Sequence, residues 1–392
     1  MDAEGVPLSA PQADVVVVGS GIVGLGAAYA AVRRGLSVIV VDRTDAPVGS
    51  TIRNFGHLCI GAQTGEAREY ADLAREHWLR LAADAGFWLR ESGTLIAARH
   101  DDELAVLDAA TRDGRDDIRL LDADEVLRRA PLRRETLRGG ALITPDLQVN
   151  PREAAGAIVR HLASLGVDFR FRTAVTDVAT GRVGTTRGSI EAGHIIAAVN
   201  HDIDQLMPDV AERAGIVRCA LDMMRVAAGL PARLDAPLLT GWSLVRYGRF
   251  AGLDETAALR RRLHAARPDL AALDLNQMYT QLPDGSLIVG DSHARAVQPG
   301  PFQPEAAFDA FVDEAVALFQ IDGLRVLERW QGVYASGPRE FLRESPADGV
   351  TAIAATTGIG MTCGLGLAES AIIAALTPTT PTPSTLSTEA PS

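Results

Sequence analysis

An apolar strand that runs straight into a glycine-rich turn constrains the fold of this chain more than any other feature. Val15–Val18 form a short apolar run, as expected for a strand buried on both faces. Gly19, Gly21 and Gly24 follow with the spacing G-x-G-x-x-G. In this pattern the first glycine permits a tight turn, the second lets the backbone approach a pyrophosphate, and the third lets a helix pack on the strand. The segment predicts a strand–helix–strand unit that binds a dinucleotide.

The residues after the glycines complete this unit. A helix is predicted from Ile22 to about Arg34, and its first N–H groups, including those of Ile22 and Val23, should face the phosphates. Val38–Val41 then form the second strand, and Asp42 ends it. A carboxylate at that position can accept hydrogen bonds from ribose hydroxyls.

Composition excludes several kinds of chemistry. The 392-residue chain has 47% hydrophobic and 22% charged residues, which are globular values, and a net charge of −12, which argues against nucleic acid as a partner. All 38 basic residues are arginine, and there is no lysine. Schiff-base catalysis by lysine and a P-loop lysine are therefore excluded, and cationic groups in the site must be Arg, His or the N-terminus.

Cysteine usage and the chain ends indicate where the protein works. Cys59, Cys219 and Cys363 have no metal-ligand spacing, so no metal site is predicted and a reducing compartment is favoured. With neither a signal peptide nor a membrane span in the sequence, we expect a cytoplasmic protein. The tails 1–11 and 378–392, the latter rich in Pro, Thr and Ser, are predicted to be disordered.

A second glycine-rich segment, Thr357–Glu369, precedes an apolar helix near the C-terminus. It repeats the first device, in which small residues let the backbone approach a ligand at a helix N-terminus. Two such sites suit a long cofactor such as FAD. No second G-x-G-x-x-G unit is present, although flavoproteins that NAD(P)H reduces carry one, so the substrate itself should reduce the flavin.

Three stretches together resemble the D-amino-acid oxidase / glycine oxidase / sarcosine oxidase superfamily over about residues 12–377. They are the fingerprint Gly19–Asp42, PDLQVNPREAAGAIVRHLASLGVDFRF and TTGIGMTCGLGLAES. RNFGHLC (53–59), LPDGSLIVGDSH (282–293) and ERWQGVYASGP (328–338) are similar to a bacterial subgroup linked to catabolism of 2-aminoethylphosphonate and its N-methyl derivative. This resemblance implies hydride transfer from the amine carbon to flavin N5, and hydrolysis of the imine to phosphonoacetaldehyde.

The chain departs from the superfamily pattern in three ways. Asn200 and His201 stand where an Ala/Gly-rich turn is usual. Sarcosine oxidases link flavin to the cysteine of a Cys-Met-Tyr-Thr stretch, whereas Gln277–Thr280 reads Gln-Met-Tyr-Thr, so the resemblance implies non-covalent FAD. Those enzymes also use a lysine in the reaction with O2. Here either Arg or His takes that role, or the electron acceptor is not O2.

The predicted fold class is α/β with an α+β insert. A Rossmann-like FAD-binding domain is expected from 12–85, 146–212 and 340–377, and a substrate domain with an antiparallel sheet from 86–145 and 213–339. Ser243–Phe250 is predicted to be one strand of that sheet.

The loop after the second strand supplies one group of candidates. An acidic substrate group calls for arginine, whose planar fork matches a carboxylate or phosphonate, and Arg53 lies in this loop. Asn54 and His57 share it, and His57 could accept the amine proton because histidine titrates near neutrality. The predicted cofactor contacts are Gly19, Gly21, Ile22, Val23, Gly24, Asp42, Arg43, Thr51, Arg53, Asn54, Val175, Gly358, Gly360, Met361 and Thr362.

The inserted sheet supplies the second group of candidate catalytic residues. On the predicted strand, Arg246 and Tyr247 should point to opposite faces, with Arg249 on the face of Tyr247. Of these we favour Arg246 as the substrate anchor. His293 follows a predicted strand end beside Asp291, and the two could orient one another or stabilise a turn.

The leading hypothesis is an FAD-dependent amine oxidase or dehydrogenase for a small acidic amine, with O2 or another acceptor. A glycine- or sarcosine-type amino-acid oxidase is the alternative within the same fold. Outside that class, an NAD-dependent dehydrogenase would explain Gly19–Asp42 but not 357–369, and a non-catalytic flavoprotein subunit would need neither substrate nor turnover.

Overall fold

The computed structural model describes residues 10–377. The predicted disordered tails lie outside the described residues, except for Ala10 and Pro11. Within the described part of the chain, no helix is long and apolar enough to cross a membrane.

Strands and helices are interspersed along the described chain. The strands are β1 (Gln12–Val18), β2 (Val38–Val41), β3 (His57–Leu58), β4 (Leu89–Arg90), β5 (Thr94–Ala98), β6 (Ile118–Asp122), β7 (Gly139–Ile143), β8 (Leu147–Val149), β9 (Asp168–Arg170), β10 (Val175–Ala179), β11 (Arg182–Thr185), β12 (Gly188–Ala197), β13 (Val217–Ala227), β14 (Leu238–Leu239), β15 (Met278–Gln281), β16 (Leu287–Ala296), β17 (Arg325–Ser336), β18 (Phe341–Ala347) and β19 (Val350–Ala355). The α-helices are α1 (Ile22–Val32), α2 (Gly65–Ala85), α3 (Asp101–Ala110), α4 (Ala123–Leu127), α5 (Pro151–Ser164), α6 (Ile203–Leu206), α7 (Pro208–Arg213), α8 (Gly241–Leu244), α9 (Gly248–Ala251), α10 (Asp254–Ala266), α11 (Pro268–Ala272), α12 (Glu305–Leu318) and α13 (Gly360–Leu376).

The first sheet contains the predicted strand–helix–strand unit. Its parallel centre runs β9-β2-β1-β12-β19, and the antiparallel strands β11 and β18 extend it from β12 and β19. Val15 lies opposite His194 on β12 and Val38 on β2, so β1 is flanked on both sides. The apolar faces of α1, α2, α5 and α13 cover one side of this sheet. Because its strands are parallel, their carboxyl ends share one edge, where ligands bind in such folds.

The second sheet lies over that edge. Its order is β17-β13-β16-β15-β14-β5-β7-β6, and every neighbouring pair is antiparallel except β14 and β5. Each sheet is built from stretches that lie far apart in the sequence. The domain boundaries themselves stay a prediction.

One predicted strand is wrong. Ser243–Phe250 lies in two short helices, α8 and α9, joined by a turn. Gly241–Leu244 are all buried, so exposure does not alternate as it would on a one-faced strand. Ser243 Oγ instead donates to Asn276 Oδ1 at 2.7 Å, which fastens the α8 turn to the segment before β15.

Helix α13 packs on α2 through a close approach at Gly366. A Cβ at this glycine would lie 2.1 Å from the Tyr70 carbonyl oxygen, which is backbone and cannot swing aside. The packing of the two helices therefore depends on the missing side chain.

We expect Gly366→Ala to lower the thermal unfolding midpoint, because overpacking of this kind costs about 1–3 kcal/mol. Gly156→Ala is the matched control, since Gly156 is also helical and its added Cβ would meet only the flexible end of Arg160, at 3.4 Å. The control should unfold at the same or a higher temperature, because alanine is the better helix former by about 1 kcal/mol. Equal midpoints for the two variants would contradict this account of the packing.

Candidate active site

A cavity of about 870 Å³ runs from the glycine turn after β1 to a polar region beneath the second sheet. Every candidate catalytic residue predicted from the sequence lines it, namely Arg53, His57, Arg246, Tyr247 and His293. Of the predicted cofactor contacts, Gly24 alone does not line it. The others that do are Gly19, Gly21, Ile22, Val23, Asp42, Arg43, Thr51, Asn54, Val175, Gly358, Gly360, Met361 and Thr362.

The glycine turn brings the start of α1 to the cavity wall. Gly19 has φ +101°, and a Cβ there would lie 2.6 Å from the Ala198 carbonyl oxygen on the neighbouring strand end. Gly24 supports the turn from behind, because its Cβ would lie 1.9 Å from the Gly19 carbonyl oxygen. The Ile22 N–H, predicted to face phosphate, donates to Thr51 Oγ1 at 2.8 Å. Thr51 therefore joins the loop after β2 to the start of α1.

Asp42 ends β2 as predicted, and its carboxylate holds the turn together. Oδ2 accepts from Ser20 N–H at 2.7 Å and from Ser20 Oγ at 2.6 Å. Oδ1 accepts from Thr44 N–H at 2.9 Å and from Thr44 Oγ1 at 2.8 Å. Since a carboxylate has about four acceptor positions, the predicted contact to a ribose hydroxyl requires sharing or displacing one of these bonds.

A second helix also begins at the cavity. Gly358 has φ +80°, and α13 starts two residues later. The first N–H of this turn that bonds to a helix carbonyl is that of Cys363, which donates to Ile359 O at 2.9 Å. The N–H groups of Gly360, Met361 and Thr362 precede it at the positive end of the helix dipole.

The loop that carries Arg53 is held by its neighbour. Asn54 Nδ2 donates to the carbonyls of Ser50 and Thr51 at 2.9 and 2.7 Å, and its Oδ1 accepts from Gly56 N–H at 2.8 Å. Asn54 thus fixes the loop conformation. The Arg53 side chain is exposed at the cavity rim, where Nη1 donates to the Gln331 carbonyl at 3.3 Å.

Asn200 replaces the small residues expected at the end of β12. It adopts φ +55°, a left-handed conformation that asparagine tolerates better than most residues. Its Nδ2 donates to Ser50 Oγ at 3.0 Å, and its Oδ1 accepts from Ala335 N–H at 2.9 Å. The departure is therefore a side-chain bridge between the two sheets.

His57 lies in a buried hydrogen-bonded chain in the middle of the cavity wall. Thr94 Oγ1 donates to Asp146 Oδ2 at 2.6 Å and accepts from His57 Nε2–H at 2.5 Å. His57 Nδ1 lies 3.2 Å from Met278 Sδ and 3.4 Å from Cys59 Sγ. Burial lowers the pKa of His57, but Cys59 and Asp146 outweigh burial and raise the pKa to about 10. The ring can therefore carry a positive charge beside the cavity at neutral pH.

The polar end of the cavity contains two arginines that share one carboxylate. Arg246 Nη1 donates to Asp274 Oδ1 at 2.7 Å, and Arg295 Nη1 donates to Asp274 Oδ2 at 2.6 Å. His293 Nδ1–H donates to the Asp274 carbonyl at 3.0 Å. Asp291 faces the other ring nitrogen, with Oδ2 at 3.4 Å from His293 Nε2.

The placement of Arg246 and Tyr247 corrects the prediction of opposite faces. Both line the cavity, because they lie on the turn between α8 and α9 and not on a strand. Arg249 is buried away from it and donates to Asp117 Oδ1 at 2.5 Å. His293 lies inside β16, whereas a strand end was predicted.

Asp274 was not among the residues predicted from the sequence. It lies between α11 and β15, in a region with no recognisable motif, and only the folded chain brings it to Arg246 and Arg295. Its φ of +46° is uncommon for a residue other than glycine.

Residues 14–375 match the protein family described as DAO, FAD dependent oxidoreductase. The chain belongs to this family. The predictions of an FAD cofactor and of an oxidoreductase are thereby confirmed. The predicted resemblance to the glycine and sarcosine oxidase superfamily is confirmed for the family as a whole and not for the phosphonate subgroup.

Curated relatives match part of the chain. Monomeric sarcosine oxidase from Bacillus sp. (strain B-0618) is 26% identical over 197 residues, which are 47% of this chain and 50% of that protein. D-amino acid dehydrogenase from Helicobacter pylori (strain J99 / ATCC 700824) is 22% identical over 217 residues, 42% of this chain and 53% of that protein. The chain thus spans about half the length of the curated relatives it matches.

Solved structures extend the likeness of fold to nearly the whole chain. Glycine oxidase from Bacillus cereus ATCC 14579 superposes with a TM-score of 0.74 and 18% identity, covering 93% of this chain and 94% of that one. The predicted α/β fold class is confirmed.

We expect Asp42→Asn to weaken FAD binding about tenfold or more, because an amide cannot accept all four bonds and leaves the turn donors unpaired. Asp14→Asn is the matched control: Asp14 Oδ2 accepts from Ser37 N–H and Oγ at 2.8 and 2.7 Å, the same pattern at the opposite, exposed end of β1 and β2. Flavin fluorescence on dilution measures the affinity. Equal flavin loss from both variants would contradict a role for Asp42 in the cofactor site.

Proposed function

We propose that the protein oxidises a small amine that carries an acidic group, with FAD as the oxidant. The preferred substrate is 2-aminoethylphosphonate or its N-methyl form, and the products are phosphonoacetaldehyde and the amine released by imine hydrolysis. The carrying observation is one continuous cavity that joins two helix N-termini to a polar end with Arg246, Arg295 and Asp291. The stretches 53–59, 282–293 and 328–338 support the phosphonate assignment.

The described residues fit FAD. A Cβ at Gly19 would clash with the Ala198 carbonyl and one at Gly24 with the Gly19 carbonyl, so the turn that borders the cavity needs both glycines. The cavity is long enough to border both helix starts. The start of α1 and Asp42 would hold the adenosine diphosphate half, and the start of α13 would hold the flavin half. When bound, the flavin supplies the acceptor for a hydride from the amine carbon.

The attachment of FAD is proposed to be non-covalent. Gln277 stands where sarcosine oxidases have the linking cysteine, and its side chain is buried away from the cavity. Its Nε2 donates to Tyr279 OH at 2.9 Å, and its Oε1 accepts from Thr240 Oγ1 at 2.7 Å.

Acid precipitation of the purified protein should therefore release all of the flavin into the supernatant. Absorbance of the supernatant and of the pellet measures the division, and a yellow, fluorescent pellet would contradict non-covalent attachment.

Arg246 is the proposed anchor for the acidic group. It lines the polar end of the cavity with a side chain that is 20% exposed, and Asp274 and the α8–α9 turn fix its position. An arginine fork matches the oxygens of a phosphonate or a carboxylate. Arg53 is the competing anchor, but its exposed position at the rim favours a looser contact.

A glycine- or sarcosine-type amino-acid oxidase is the second candidate. The similarity to monomeric sarcosine oxidase and the shared fold with glycine oxidase favour it. The proposed electron acceptor is O2 or another oxidant, since the relatives include an oxidase and a dehydrogenase by name. The three described cysteines are free and buried, which supports the proposed cytoplasmic location.

Anaerobic mixing with candidate substrates tests the function. We expect 2-aminoethylphosphonate or its N-methyl form to bleach the flavin absorbance faster than glycine or sarcosine at equal concentration. Faster bleaching by the amino acids would favour the second candidate, and NADH serves as the control for a nicotinamide-linked reaction. Bleaching by none of the amines would reject both candidates.

We expect Arg246→Met to raise the KM for the acidic amine about 10- to 100-fold, the usual loss for a hydrogen bond between charged groups. Arg53→Met, assayed in parallel, should have a smaller effect. A larger effect at Arg53 would move the anchor to the rim. Flavin content of both variants must match the parent protein, so that lost cofactor is not read as lost substrate affinity.

A further inference from the structure

Asp291 is a buried carboxylate at the wall of the cavity. It lies on β16, near the middle of the second sheet, and its side chain is 7% exposed. Oδ1 has almost no accessible surface and makes no hydrogen bond with any residue in the described range 10–377, whereas the residue as a whole lines the cavity. A buried carboxylate with few donors of its own is costly, so one at a cavity wall favours a ligand that brings N–H donors.

The imidazole ring of His293, next to Asp291, also has an acceptor atom without a donor in the described chain. His293 Nδ1–H already donates to the Asp274 carbonyl, and burial together with Arg246 lowers the pKa of His293 to about 3. The neutral ring therefore presents the lone pair of Nε2 toward Asp291 Oδ2, 3.4 Å away. When Asp291 is ionised, these two acceptors face each other with no hydrogen between them; when Asp291 is protonated, its own O–H can donate to His293 Nε2.

The two nearby arginines bond to Asp274, not to Asp291. Asp274 holds both Arg246 and Arg295 through bonds of 2.7 and 2.6 Å. Burial raises the pKa of Asp291 to about 7, although Arg246 and the side-chain amide of Asn276 act in the opposite direction. Asp291 can thus gain or lose a proton near neutral pH.

We propose that the ionised carboxylate of Asp291 receives the ammonium group of the substrate and accepts its proton, with His293 Nε2 as a second acceptor. An ammonium group carries several N–H donors, so it can bond to both acceptors. An anionic group has no such donors and does not fit them. This assignment rests on the proposed amine oxidation and names the residue that recognises the amine.

The proton balance of the step is simple. One N–H bond breaks and an O–H bond forms on Asp291, which leaves a neutral amine with a free lone pair. That lone pair can then form the C=N bond as the C–H electron pair leaves as hydride, with oxidised flavin as the acceptor. Without loss of the proton, the nitrogen has no electron pair to contribute.

Other charged groups face Asp291, but they titrate far from neutrality. Burial alone would raise the pKa of Asp274, but Arg246 and Arg295 lower it. Burial raises the pKa values of the neutral acids in this cluster, Tyr247, Tyr334 and Cys219. A change near pH 7 in the amine affinity therefore belongs to Asp291.

Two ligands that differ only in the amine test the assignment. In 2-amino-2-methylpropylphosphonate the amine carbon has no hydrogen and cannot be oxidised, and 2,2-dimethylpropylphosphonate replaces the amine by a methyl group of similar size. Flavin absorbance changes in the holoenzyme measure both affinities. The parent protein should prefer the amine, and Asp291→Asn should lose about tenfold or more of that preference while it binds the methyl ligand with similar affinity.

Asp222→Asn is the matched control. Asp222 lies on the adjacent strand β13 and is also buried, but its oxygens accept from Gln303, Gln331 and Ser292, and it does not line the cavity. The control should keep the preference. An unchanged preference in Asp291→Asn would overturn the assignment.

The parent protein provides a second measurement, for which no variant has to fold. Its preference for the amine ligand should fall as the pH decreases from about 8 to about 5.5, because protonation removes the charge of Asp291. Each affinity is first corrected for the second ionisation of its own phosphonate, because the ammonium group lowers that pKa in the amine ligand and the methyl group does not. A ratio that stays constant over this range would also overturn the assignment.

The proposed substrate can be wrong while the proposed amine site is right, and a second pair of ligands separates the two cases. If neither phosphonate binds the parent protein, the phosphonate assignment is wrong. The carboxylate pair 2-amino-2-methylpropanoate and 2,2-dimethylpropanoate then makes the same comparison at Asp291. Loss of preference with that pair alone would support Asp291 as the amine site of an amino-acid oxidase.

Discussion

Two helices begin at the wall of one cavity, and the rest of the structure depends on that placement. Helix α1 follows β1 and helix α13 follows β19, and both strands belong to the parallel centre of the first sheet. Parallel strands end at the same edge, so both helices present there the first N–H groups, which no carbonyl of the helix accepts. Close backbone approaches make this possible, at Gly24 behind the first turn and at Gly366 between α13 and α2. The second sheet covers the edge and closes the cavity.

The part of this arrangement encoded locally could be predicted from the sequence. The strand ending at Val18, the glycine turn, the helix from Ile22 and the acid at Asp42 are neighbours along the chain, and each needs a particular backbone geometry. The second helix was predicted to follow the glycine-rich segment Thr357–Glu369, whereas α13 begins within that segment, at Gly360. The conformation of Ser243–Phe250 was not predictable, because a short stretch of mixed residues fits a strand or two helical turns, and bonds such as Ser243 to Asn276 decide between them.

The arrangement at the polar end of the cavity could not be predicted from local sequence patterns. Arg246, Asp274, Asp291 and Arg295 come from separate segments, and no spacing in the sequence links them. Arg246 and His293 could be selected as candidates by residue type alone. Asp274, which fixes both arginines, could not, because its role exists only once β15, β16 and the α8–α9 turn are assembled. Without lysine, the fixed positive charges at the cavity are those of arginines, Arg246 and Arg295 at this end and Arg43 and Arg53 elsewhere along the wall.

The paired serine–aspartate contacts on the first two strands have a consequence for how the chain tolerates change. Ser37 is bonded to Asp14 at one end of β1 and β2, and Ser20 is bonded to Asp42 at the other. A shift of one residue between these strands would break both contacts at once and would turn every side chain to the opposite face. An insertion within α1 therefore has to bulge out of the helix or its exit turn, since neither strand can slide to absorb it.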